Sequence, residues 1–318
     1  KHTVVIDEAH SLITQQSFRP ETLELVADSL ALYPEVYCLT GTYIDCKFFD
    51  DYLIVKGTAS DQLAQEVHFV KYKNPYEIVA ELAYQFTQRN HQIMVYLPSK
   101  GKKLSWMKEA LSQRGIYSVS ELNASTINQD EDLFFETGSE VVEKQCFNSQ
   151  VLLTTYTQGY NLTNENVVFI AFPGTDFVSI KQAIMRLRNG SSHNFILTNA
   201  TDEVLDFSTA YESLYNYWEL QAKALYAQML KAKNNSRAIR AIKSSSSAKD
   251  LIYDSLDINH LKIAYYAYRD ITEACETDIK LMSTALVNMG LNPNKTYNFS
   301  AETVHLNLSD VVDTSWAD

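Results

Sequence analysis

The sequence predicts an α/β protein: two parallel-sheet units followed by a helical region. Three observations carry that expectation. Short β-branched apolar runs, beginning with Val4-Val5-Ile6 and Val36-Tyr37-Cys38-Leu39, end in small polar or acidic turns, as buried parallel strands do. Segments of helical period alternate with these runs as far as Thr198, which is the repeat of a parallel βα sheet. Beyond Asp202 the period changes to helix alone, and 318 residues suffice for about two domains.

Element by element, Pro20-Glu21 opens a helix whose apolar positions Leu23, Val26 and Leu30 run to about Tyr33, where Pro34 closes it. A strand over 36–42 completes a strand–helix–strand unit with residues 4–6. Two strands cannot close a core, so the first unit reads as part of a larger domain. Residues 67–72 alternate and read as an edge strand leading into a linker. A second series opens at Pro75, with a helix over 76–89, a strand over 93–97 and a helix over 102–114 that stops at Gly115. Strand-like runs recur at 116–119, 151–155, 167–172 and 195–198. In the helical region Phe207, Tyr211, Leu214, Trp218, Leu225 and Met229 form one core-facing stripe. Ser244-Ser245-Ser246-Ser247 reads as a flexible link, and a further helix covers 258–289, closed by Gly290 with Pro293 beyond. The last twenty residues read as a short strand or tail.

Composition bounds the function. The 46% hydrophobic and 21% charged content is that of an ordinary globular protein. No apolar run nears the roughly 20 residues of a membrane span, and no secretory signal precedes the first strand, so a cytoplasmic protein without a membrane partner is expected. Four scattered cysteines without C-x-x-C spacing suggest neither a disulfide framework nor a zinc site. A net charge of −12 argues against uniform coating of nucleic acid. Locally the balance reverses: from Ala222 to Lys249 there is no acid, while Lys223, Lys231, Lys233, Arg237, Arg240, Lys243 and Lys249 are basic. That stretch reads first as a solvated helix face and second as an accessory nucleic-acid contact through Arg237 and Arg240, with Trp218 and Tyr226 nearby.

The chemistry concentrates at strand ends. Val4-Val5-Ile6-Asp7-Glu8-Ala9-His10 drives a strand into two carboxylates and a histidine. Open α/β sheets bind ligands at the carboxyl ends of their strands. There Asp7 can hold Mg²⁺ on a nucleotide, and Glu8 can orient or deprotonate an attacking water. The bland alternative is a strand followed by a solvated acidic turn. The remaining histidines form no ligand-spaced cluster, so no metal beyond Mg²⁺ is expected.

This string resembles motif II (Walker B) of superfamily 2 helicases and translocases, the DEAH-type members in particular. Further strings follow in the family's order. Thr40-Gly41-Thr42 resembles motif III, whose Thr40 and Thr42 hydroxyls would line the nucleotide side and couple hydrolysis to movement. Val95-Tyr96-Leu97-Pro98-Ser99-Lys100 resembles motif IV, presenting Ser99 and Lys100 to nucleic-acid phosphate. Val151-Leu152-Leu153-Thr154-Thr155 with Gly159-Tyr160-Asn161-Leu162 resembles motif V. There Thr154 and Thr155 would donate to nucleic-acid phosphates, and Gly159 and Asn161 would approach the nucleotide. Gln182-Ala183-Ile184-Met185-Arg186-Leu187-Arg188 resembles motif VI, with Gln182 and the arginine fingers Arg186 and Arg188. Met185 replaces the usual glycine, and the two-residue spacing of the arginines is similar to that of viral origin-binding and phage helicases. Either arginine could reach the γ-phosphate, with Arg186 preferred.

The resemblance covers about residues 1–200. It implies an incomplete first RecA-like ATPase domain over 1–66, a complete second RecA-like domain over 67–203 and an α-helical accessory domain over 204–318. It also implies an ATP- and Mg²⁺-dependent helicase hydrolysing ATP between its two domains and moving on nucleic acid, DNA being favoured, in replication or recombination of a phage or mobile element. His10 would link the ATP site to the second domain. One part is missing: no G-x-x-x-x-G-K-[ST] phosphate loop (Walker A) occurs, since Gly101-Lys102 lacks its spacing and hydroxyl. The loop is expected upstream of Lys1, and the 318 residues are expected to be inactive alone. The alternative is a non-catalytic interaction module on a helicase scaffold.

Overall fold

The computed structural model describes residues 3–16, 19–30, 32–42, 44, 47–49, 52–53, 55, 65–98, 102–123, 137–155, 159–201, 206–232, 235–246, 249–253 and 257–298. In chain order the elements are β1 (Thr3–Ile6), α1 (Ser11–Thr14), α2 (Pro20–Leu30), β2 (Glu35–Cys38), β3 (Glu66–Lys71), α3 (Pro75–Thr87), β4 (Gln92–Tyr96) and α4 (Lys102–Gln113). Then come β5 (Val119–Leu122), α5 (Gly138–Lys144), β6 (Val151–Thr154), β7 (Val167–Ala171), α6 (Phe177–Met185) and β8 (Ser191–Leu197). The rest is α7 (Phe207–Lys231), α8 (Ser236–Ser245), α9 (His260–Thr277), α10 (Ile279–Asn288) and β9 (Asn292–Asn298). The protein is therefore α/β, with a parallel sheet and a helical region. Polar caps mark the helix starts: Asn74 precedes Pro75 and accepts from the Tyr76 amide, Asp176 accepts from Ser179, and Asn259 from Lys262.

The chain forms two compact units, and they do not follow the three sequence segments. One joins Lys1–Ser60 to Glu203–Thr284; the other joins Asp61–Asp202 to Ala285–Asp318. In the first, β1 and β2 pair in parallel, Ile6 opposite Cys38, and α7 packs on α9. The helical region is not a detached appendage, because α9 also packs on α1. Val5, Tyr37 and Leu39 stay more than half exposed on and beside the two-stranded sheet, as does Leu25 on α2. Alternate residues of both strands are thus exposed, where parallel sheets are normally covered on both faces.

The second unit holds a seven-stranded, wholly parallel sheet in the order β5-β6-β4-β7-β8-β3-β9. Every residue of β6 and β7 is buried, and α3 and α4 contribute Val79, Leu82, Phe86, Met107 and Leu111 to the same core. The expected edge strand at 67–72 is instead interior: β3 lies between β8 and β9, and the edge role passes to β9. Alternation was misleading there, since Val67 to Val70 are all buried. The strand expected at 116–119 moves to β5, because Gly115, at φ +77°, and Ile116 close the end of α4. The long C-terminal helix breaks at Asp278, whose extended backbone lets its carboxylate cap α10 through the Lys280 and Leu281 amides. Among the described residues no helix is long and apolar enough to cross a membrane.

Candidate functional site

β1 delivers Asp7 and Glu8 to its carboxyl end, as its apolar run requires. Asp7 is exposed, and its Oδ1 accepts from the Glu8 amide at 2.9 Å. Glu8 takes the left-handed conformation, φ 52°, which is uncommon for a residue with a Cβ and turns the chain sharply into α1. The turn is pinned to the neighbouring strand: the Leu39 amide donates to Ile6 O at 2.8 Å and the Ala9 amide to Leu39 O at 2.9 Å. His10 ends the turn almost fully buried, 1% exposed. Its Nδ1 lies 2.8 Å from Thr40 Oγ1 and 3.4 Å from Glu8 Oε2. Thr40 Oγ1 in turn accepts from the Thr42 amide at 3.0 Å.

One imidazole thus joins the acidic turn after β1 to the hydroxyl turn after β2. The Thr40 hydroxyl makes this link, and Thr42 is buried. An exposed carboxylate at a strand end suits Mg²⁺, which takes one or two carboxylates and fills its shell with water and phosphate. Among the described residues no group of three or more metal-ligating side chains exists, and Asp7 is the exposed carboxylate of this turn.

In the second unit the strings resembling motifs V and VI lie together. Thr154 ends β6 beside β4, opposite Tyr96. It is wholly buried and hydrogen-bonded to Tyr160, so the phosphate contact expected of Thr154 is not presented. Thr155 is half-buried, and among the described residues its hydroxyl has no hydrogen-bond partner. Gly159, at φ +78°, immediately precedes the buried Tyr160. Burial pushes the Tyr160 phenol far above its usual range; the Thr154 hydrogen bond and the nearby Arg186 guanidinium oppose that rise, and Tyr96 adds to it. Tyr96 is likewise raised to about 12, by burial first and then by Asp176.

Leu162 pairs with Leu187 between the two strings: its amide donates to Arg186 O and its carbonyl accepts from the Arg188 amide, both at 2.8 Å. Arg188 Nε donates to Asn161 Oδ1 at 2.8 Å, and Asn189 Nδ2 to Thr163 O at 2.7 Å. Arg186 is half-buried at the end of α6, Arg188 is exposed, and Gln182 is buried within the helix. Asn161 is therefore the partner of Arg188, a pairing that the spacing of the strings did not suggest. Tyr160, in the same stretch as Asn161, is a neighbour of both Thr154 and Arg186.

Ser99 and Lys100 lie outside the described residues. Arg237 and Arg240 are exposed on α8, whose Ile239 and Ile242 turn inward while α8 packs on α7. Trp218 is committed elsewhere: its indole donates to Asp270 at 2.7 Å, and Arg269 lies over its ring. No family model matches the chain, and no curated protein does.

Proposed function

We propose that the protein is an ATP-dependent helicase or translocase of the superfamily 2 type acting on nucleic acid, DNA by preference. The observation that carries the reading is the His10–Thr40 bond at 2.8 Å. It ties an acidic turn to a hydroxyl turn at the carboxyl ends of paired parallel strands, where nucleotides bind α/β sheets. In this reading Asp7 would hold Mg²⁺, which would supply charge neutralisation at the phosphates of ATP. Glu8, kept beside His10 by its left-handed backbone, orients the attacking water and takes its proton. Movement of phosphate at Asp7 and Glu8 is passed by His10 to Thr40 and so to β2. Arg186 and Arg188 are the charge-neutralising pair, with Arg188 held in place by Asn161. Arg237 and Arg240 contact the nucleic-acid backbone.

The chain contains no phosphate-binding loop string, so turnover needs that loop from other residues. The same fact favours the second reading, a non-catalytic interaction module. One experiment separates them: ATP hydrolysis by the protein expressed from its complete reading frame, with and without single-stranded DNA. The enzyme reading expects DNA-stimulated turnover that Glu8→Gln abolishes. Absence of turnover, or turnover indifferent to Glu8→Gln, refutes it and leaves the module.

A further inference from the structure

We propose that Lys262 is a positioning residue for the Asp7–Glu8–His10 turn, acting through Gln16; its effect on turnover rests on the hydrolytic reading above. Lys262 lies in α9, only 7% exposed, among the buried residues Leu261, Ile263 and Ala264. An ammonium is costly to bury unless it is paired. Its surroundings are the Gln16 side-chain oxygen at 3.4 Å, a Glu24 carboxylate oxygen at 4.0 Å and the Tyr265 ring at 5.5 Å. Gln16 is itself 1% exposed, and while its oxygen faces Lys262 its Nε2 donates to Leu12 O at 3.1 Å. A single amide thus connects the cation of α9 to the backbone of α1.

That connection matters because α1 has four residues, too few to hold a helix by its own hydrogen bonds. Its last carbonyls lack partners within the helix, and Gln16 supplies one for Leu12. Leu12 and Ile13 bury their side chains, which anchors α1 without fixing its direction. The Lys262–Gln16–Leu12 chain supplies the direction. Its far end is the catalytic turn: the Leu12 amide donates to Ala9 O at 3.1 Å, and the Ile13 and Thr14 amides both donate to His10 O at 3.0 Å. Rotation of α1 therefore moves His10 against Thr40.

The test reads His10 directly. In the 318-residue chain, long-range proton–nitrogen NMR of the imidazole reports the partner of Nδ1. Lys262→Met and Gln16→Glu are both expected to shift the His10 signal, the second because a carboxylate cannot donate to Leu12 O. Gln16→Glu is isosteric and decides the matter even where Lys262→Met does not fold. Lys262→Arg keeps a cationic donor and is expected to retain the wild-type signal. An unmoved His10 signal in folded Gln16→Glu or Lys262→Met overturns the proposal, as does a Lys262→Arg signal displaced as far as that of Lys262→Met. In the protein from the complete reading frame, Lys262→Met should lower kcat about tenfold with KM for ATP unchanged, the scale of one lost charge-assisted hydrogen bond. Absence of turnover in the wild type would count against the hydrolytic reading alone, and the imidazole signal would still decide Lys262.

Discussion

At the scale of single residues, buried polar groups do more than the exposed ones that the strings first suggest. Tyr160 is the clearest instance. Its hydroxyl is enclosed with Thr154 and lies near Arg186, so Tyr160→Phe removes one hydrogen-bond partner of the fully buried Thr154. A loss of about 1–2 kcal/mol in denaturant unfolding is expected, and a neutral result would mean that Thr154 finds another partner. The histidines of the parallel sheet give a pH dependence. Burial lowers His193 to about 4, with His91, His68 and Arg89 adding repulsion and Glu66 opposing them; burial also lowers His91. The rings of His91 and His193 lie 6.1 Å apart beside Phe86. Unfolded imidazoles titrate near about 6.5, so below that pH the unfolded chain binds more protons than the folded one. Stability is complete above about 6.5 and declines as pH falls towards 4. Thermal melts from pH 7.5 to 4.5 test this: His193→Phe should flatten the decline.

At the scale of elements, α8 has a partly buried apolar side and an exposed basic side. Its inward side is Ile239 and Ile242; Arg237 and Arg240 point to water. None of Arg237, Arg240 and Lys243 is among the buried residues, so their replacement by alanine leaves the core side chains in place. Single-strand affinity should fall about tenfold, with a salt slope shallower by about two, if these cations meet phosphate. Unchanged affinity assigns α8 to solvation only. Element boundaries were the least legible part of the sequence. The strand runs stood out because β-branched residues bury on both faces of a parallel sheet, as in β6 and β7. The break at Asp278 did not, since apolar spacing continues on both sides of it and only the extended backbone makes it a cap.

At the scale of the whole chain, the expected consequence of the missing phosphate loop is that residues 1–318 alone hydrolyse no ATP. Turnover by the isolated chain that Glu8→Gln abolishes would require a different nucleotide site. The exposed Val5, Tyr37, Leu39 and Leu25 should bind a hydrophobic dye in the native chain, and polar substitutions at Val5 and Tyr37 should reduce that signal without loss of fold. By itself the sequence determined the α/β class, the run of strands and helices, and the turns where Asp7, Thr40 and Asn161 stand. Those follow from local periodicity and from which residues end a strand. Tertiary structure alone decided the sheet order, the return of the C-terminal strand to β3 and the packing of α9 on α1. It also decided that His10 grips Thr40, that Arg188 grips Asn161 and that Thr154 is buried. The two hydrogen bonds join residues far apart in the chain, and such a bond leaves no period in the sequence; the burial of Thr154 depends on what the sheet packs around it.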